Sequence, residues 1–131
     1  MLKQIGVFEL IQLVKGTIQE NTELPCYEKM QNGVQLPYCY VELNEKVASN
    51  TETMWRDTFT VHIHIVCEEN EAENLSVVEE AMCEGLLLPK PYKLLLETNT
   101  GVVTKQTNEN SQNEIVTSYE YVICYGYKSK L

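Results

Sequence analysis

Nowhere does this sequence stay apolar for the ~18–20 residues that a membrane-spanning helix requires, so no membrane span is expected. The opening MLKQIGVFEL lacks a long apolar core and a small-residue cleavage site. The expectation is therefore a protein made and kept, at least initially, in the cytoplasm. Basic residues are sparse: 10 Lys and Arg stand against 19 Asp and Glu, a net charge of −9, and they form no cluster. Direct binding to a phosphate backbone is disfavoured, since that requires grouped positive charge. There is no C-x-x-C pair among the five cysteines, whose number is odd and whose spacings are irregular. Cys39, Cys67 and Cys124 sit in strand-like runs, where a reduced thiol acts as a small hydrophobe.

Catalytic signatures are missing too. No G-x-S-x-G elbow, phosphate-binding glycine loop, G-x-G-x-x-G or H-E-x-x-H is present, and no cysteine has a basic neighbourhood that would activate it. Neither an enzyme nor a cofactor is expected. At 131 residues, with 44% hydrophobic and 22% charged residues, the chain should form one domain able to bury about two thirds of its unfolded surface.

What is there is strongest at Asp57–Cys67, DTFTVHIHIVC. Phe59, Val61, Ile63, Ile65 and Cys67 alternate with Thr58, Thr60, His62, His64 and Val66, which makes a β-strand with one apolar face and one Thr/His-rich face. Before it, residues 3–20 carry Val7, Leu10, Ile11, Val14 and Ile18 at helical spacing. LPYCYVEL reads as a second strand, with Tyr38, Tyr40 and Glu42 alternating with Cys39, Val41 and Leu43. An Asn32–Gly33 turn offers a short hairpin ahead of it, and the polar residues 44–56 read as a loop. Trp55 is either a partner anchor in that loop or tucked under the sheet edge, and the burial habits of large aromatics favour the second.

After the central strand, residues 70–88 read as a second helix, capped by Asn70 with Glu73 and ended by Pro89 and Pro91. Ala72, Leu75, Val78, Met82 and Leu86 form its core stripe. Val77, Ala81 and Leu88 form a weaker outer strip, a candidate subunit contact or simply scattered surface residues. Residues 92–97 and 115–125 are two further strands. Between them, the polar stretch 98–113 reads as a projecting hairpin tip. The expected fold is α+β in the order αββαββ, two helices packed on one face of a mostly antiparallel four- to five-stranded sheet.

His62 and His64 project from the same face of one strand, a workable spacing for two metal ligands. A metal would need a third, and Glu42 or Glu120 could supply it if the register allows. With no other histidine in the chain, a plain polar sheet face is the simpler account.

The order of elements, with Pro37, Tyr38, Asp57, Val61, His62, Ile63, Glu71 and Ala72 at the matching positions, resembles the tail terminator (tail completion) proteins of long-tailed bacteriophages and prophages. The likeness covers about residues 1–125. Two departures stand out: Asn44-Glu45 replaces the glycine common after the first strand, and Cys67-Glu68 an aromatic-Ser strand end. The resemblance implies a non-enzymatic virion subunit of the tail or neck, made in the bacterial host. It would assemble as a homo-oligomeric ring, typically a hexamer, on the tail tube protein, stopping tube growth and meeting the head–tail connector. DNA would pass the acidic lumen without specific binding. Trp55, His62, His64, Val77, Ala81, Lys105 and Asn108 are the candidate subunit or partner contacts. Another head–tail connector or neck protein, or a small acidic regulator binding a basic protein, are the alternatives.

Overall fold

A computed structural model describes residues 3–68, 73–83, 85–106 and 112–128. Helix α1 spans Val7–Asn21 and buries Leu10, Val14 and Ile18, a stripe at four-residue spacing. Its end is set by Thr22, whose hydroxyl donates to the Ile18 carbonyl at 2.7 Å and accepts from the Leu24 amide at 3.1 Å. That satisfies a carbonyl which the last turn leaves without an intrahelical partner. The strands follow as β1 (Cys26–Tyr27), β2 (Tyr38–Ala48) and β3 (Met54–Glu68). Helix α2 is described over Glu73–Met82, and β4 (Lys93–Gln106) and β5 (Gln112–Tyr127) complete the fold.

The sheet order is β1-β2-β3-β5-β4, with β1 parallel to β2 and every other neighbouring pair antiparallel. The expected α+β class and element order hold, with the two-residue β1 as the added strand. Because β5 lies antiparallel between β3 and β4, those two run the same way. Parallel strands need a crossover rather than a turn, and α2 lies within that connection. Helix α2 packs against α1 and β3, which sets both helices on one face.

The core lies under them. Phe59, Val61, Ile63 and Ile65 of β3 meet Val41 of β2 and Tyr121 and Ile123 of β5, all 0% exposed. At one end of this face Asp57 is buried, accepting a hydrogen bond from the Tyr125 hydroxyl at 2.6 Å, with Lys46 Nζ 3.8 Å away. Lys46 Nζ also sits 5.8 Å from the Phe59 ring centroid. The carboxylate is thus closed in by a donor and a cation, as a buried charge requires. Tyr121 is different: its hydroxyl is buried with no hydrogen-bond partner among the described residues. A buried donor without a partner is destabilising, so Tyr121→Phe should raise stability by ~1 kcal/mol. Urea unfolding checks this; a loss of stability would mean that the hydroxyl is satisfied after all.

Several sequence expectations change. The residues 44–56 do not form a long loop: β2 runs on to Ala48 and β3 begins at Met54. A bulge between Leu43 and Glu45 shifts the register there, and Glu45–Ala48 are exposed, so the alternation that marks a half-buried strand vanishes. The remaining turn is closed by its polar side chains. Asn50 accepts from the Arg56 amide at 2.9 Å, Thr51 Oγ1 from the Met54 amide at 3.0 Å, and Arg56 Nε donates to Ser49 O at 2.6 Å. No hairpin forms about Asn32–Gly33, since Cys26–Tyr27 pairs in parallel with Cys39–Tyr40.

Helix α2 ends at Met82, ahead of both prolines; Gly85, at φ +81°, already has a left-handed backbone. Leu86 is buried as expected, but beyond the helix. The Asn70 cap, Glu71, Ala72 and the hairpin tip at 107–111 lie outside the described residues. Below that tip, 98–106 is strand, so β4 and β5 form one long hairpin.

Candidate functional site

The sheet face turned away from the helices carries the polar residues that alternation set opposite the core. Glu42 of β2 pairs directly with His62 of β3, and Tyr40 with His64. His64 pairs across to Val116 of β5, with Glu114 two residues further on. Strand geometry therefore gathers Tyr40, Glu42, His62, His64 and Glu114 on one patch.

His64 is its centre. It is 6% exposed, and both ring nitrogens meet carboxylates: Nδ1 lies 2.5 Å from Glu114 Oε1 and Nε2 3.0 Å from Glu42 Oε1. The Tyr40 hydroxyl donates to the same Glu114 oxygen at 2.8 Å, and the Tyr40 ring stacks on the imidazole at 4.2 Å and 6°. Each ring nitrogen of His64 thus faces a carboxylate oxygen. Burial, reinforced by the bond to Glu114, pushes the Tyr40 phenol well above its usual value, keeping it a donor.

His62 stands beside this group, ring centroids 6.1 Å apart, and is half-buried. Burial, then the neighbouring His64 and Lys105, hold its imidazole below the usual 6.5, while Glu42 pulls the other way. Of the two carboxylates that the sequence offered as a third ligand, the register selects Glu42; Glu120 faces Thr60 instead. One atom each from Glu42, His62 and His64 lie within 4.8 Å of one another.

The remaining candidates scatter. Trp55 does not tuck under the sheet: it is 44% exposed, paired with Gly126 at the end of the sheet, with Lys128 Nζ 4.4 Å above its ring. Val77 is exposed on α2, whereas Ala81 is buried and belongs to the core stripe with Val78 and Met82. Lys105 is exposed on β4 opposite Glu114, and Asn108 lies outside the described residues. Tyr40 and Glu114 were missed as site residues. Tyr40 could have been found from its place on the Glu42 face, but Glu114 precedes the alternation that marks β5.

The outer rim of the sheet mixes exposed polar and apolar residues. Strand β4 is an edge strand of 14 residues, and it exposes Leu95, Leu96, Val102 and Val103. A long edge of this kind offers its backbone and side chains to another chain.

The family described as "Putative tail termination protein" matches residues 1–131, the whole chain. The chain belongs to this phage tail terminator family. Membership makes it a structural protein of the phage tail and so a component of the virion, in agreement with the order of strands and helices. The terminator fold is shared by a solved structure described as the virion of a native gene transfer agent (GTA) particle. The TM-score is 0.61 at 11% identity, over 88% of this chain and 94% of that one. Curated proteins include no match. No helix among the described residues is long and apolar enough to cross a membrane.

Proposed function

We propose that this protein closes into a homo-oligomeric ring, typically of six, on the end of the tail tube. There it halts polymerisation of the tube protein and presents the surface that meets the head–tail connector. The role is assembly rather than catalysis, and no cofactor takes part in it. Family membership supports the place in the tail. The observation that carries the ring is β4, a 14-residue strand with one edge unpaired among the described residues and four exposed apolar side chains. A neighbouring copy that covers this edge would bury those side chains and satisfy the backbone groups beside them. Trp55 and Val77, exposed elsewhere on the molecule, are candidates for the opposite contact. The net charge of −9 suits a channel through which DNA slides, because like charge prevents retention.

Light scattering over a concentration series, with negative-stain microscopy of the peak, tests the ring. Val103 is 57% exposed, so Val103→Lys should leave monomer stability within ~0.5 kcal/mol of the parent while weakening assembly at least about tenfold. Equal assembly by parent and variant would remove β4 from the interface. Addition of the parent protein to growing tail tubes should stop elongation; tubes that grow past it would point to a neck protein seated elsewhere in the stack.

A further inference from the structure

We propose that Glu42, His62 and His64 bind one divalent transition metal of the zinc class on the open face of the sheet. The proposal goes beyond tube termination and does not depend on ring formation.

The backbone supplies the convergence. Glu42 and His62 are directly paired residues of adjacent antiparallel strands, and His64 follows His62 on the same face. Their ligating atoms fall within 4.8 Å of one another. His64 Nε2 and Glu42 Oε1 are 3.0 Å apart. In a tetrahedral site with bonds of about 2.0–2.1 Å, neighbouring ligand atoms stand roughly 3.3 Å apart, so this pair is already close to the spacing a metal would impose. A rotation of the half-buried His62 ring brings in the third donor.

The surroundings of His64 are what a metal-bound imidazole requires. Its Nδ1 is held by Glu114, which is in turn held by the Tyr40 hydroxyl, and the Tyr40 ring stacks on its face. A carboxylate on the far nitrogen fixes the ring so that Nε2 points at the ligand position, and it makes that nitrogen a better donor. Two nitrogens and one carboxylate oxygen favour zinc, cobalt or nickel over magnesium or calcium, which prefer oxygen alone. Charge also balances, since Glu42 and Glu114 together neutralise a divalent cation. A metal takes Nε2 through its lone pair, so any proton on that nitrogen leaves to solvent as the metal enters. Glu42 is 55% exposed along its side chain, so the fourth position opens outward to water or to a group from a partner.

Cobalt titration of the full chain tests the site spectroscopically. The exposed Cys83 is first changed to Ser, because the four other cysteines are buried. One equivalent of cobalt should give visible d–d bands without a near-ultraviolet thiolate band, and zinc should displace it. His62→Ala and Glu42→Gln each remove a ligand from a partly open position and should weaken zinc binding by at least about tenfold. Their melting temperatures in chelator should match the parent's. No saturable spectrum at millimolar cobalt, a thiolate band, or unchanged zinc affinity in both variants would overturn the proposal.

Discussion

Above pH 9 the protein should lose stability steeply and unfold cooperatively near pH 11. Four tyrosines and two cysteines carry protons that the folded state holds more tightly than the unfolded chain does. Burial pushes Cys26 up to about 12 from 9.0 and Cys39 higher still. Burial also raises Tyr121, Tyr119, Tyr40 and Tyr125 above 10.0, helped at Tyr40 by Glu114 and at Tyr125 by Asp57. Below pH 9 both states keep all six protons, so the stabilisation is fully present there. From pH 9 the unfolded chain gives up its thiol protons, and from pH 10 its phenol protons, while the folded state retains them.

Each such group costs about 1.4 kcal/mol per pH unit while it is neutral in the fold and ionised outside it. With the two thiols and Tyr121 counted fully and the less enclosed phenols discounted for solvent screening, the slope is on the order of 4 kcal/mol per pH unit above pH 10. A domain stable by ~5–15 kcal/mol cannot withstand that for long. Circular dichroism and phenolate absorbance followed together should show phenol ionisation arriving with unfolding. Phenols that titrate near their ordinary value while the fold persists would show that they are open to water, and the idea would fail.

Phe59→Ala should be the most damaging of single truncations, costing ~3–5 kcal/mol. Phe59 is 0% exposed on the central strand, between Lys46 of β2 and Tyr121 of β5, and its ring lies under the Lys46 ammonium. On one side β5 is fixed by its second ladder, to β4, and the ring is enclosed completely, so little can collapse into the space that it vacates. In urea the midpoint should fall by ~2 M with little change in slope. Trp55→Ala, although it removes a larger side chain from the same strand, should cost the isolated protein less than about 1 kcal/mol, because that ring is 44% exposed. A Phe59 variant that loses no more than the Trp55 variant would mean that the core is not centred on β3.

The contrast between these two aromatics marks what was legible in the sequence. Alternation at 57–67 and 115–125 survives because each strand has one face under the helices and one face outward. At 44–48 and 98–105 it fails, since bulges shift the phase and the residues lie in water on both faces. Trp55 was misread because average burial says nothing about a residue at the end of a sheet, where the strands outrun the helices. The polar patch was half legible. A shared face for His62 and His64 follows from a period of two, but the choice of Glu42 over Glu120 needed the register between strands. That Tyr40 and Glu114 brace His64 from both sides depends on contacts 24 and 50 residues away along the chain, which no local pattern carries.

Strand order has a consequence for the timing of synthesis. The last strand, β5, occupies the middle of the sheet, with β3 on one side and β4 on the other. Until residue 127 has left the ribosome, β3 has an open edge, β4 has nothing to pair with, and the helices cover half a core. Closure of the sheet must therefore wait for β5, and it happens in one late step that joins segments far apart in sequence. In the ring proposed above, the outer edge of β4 would become available to a neighbouring copy only once β5 has joined it to β3.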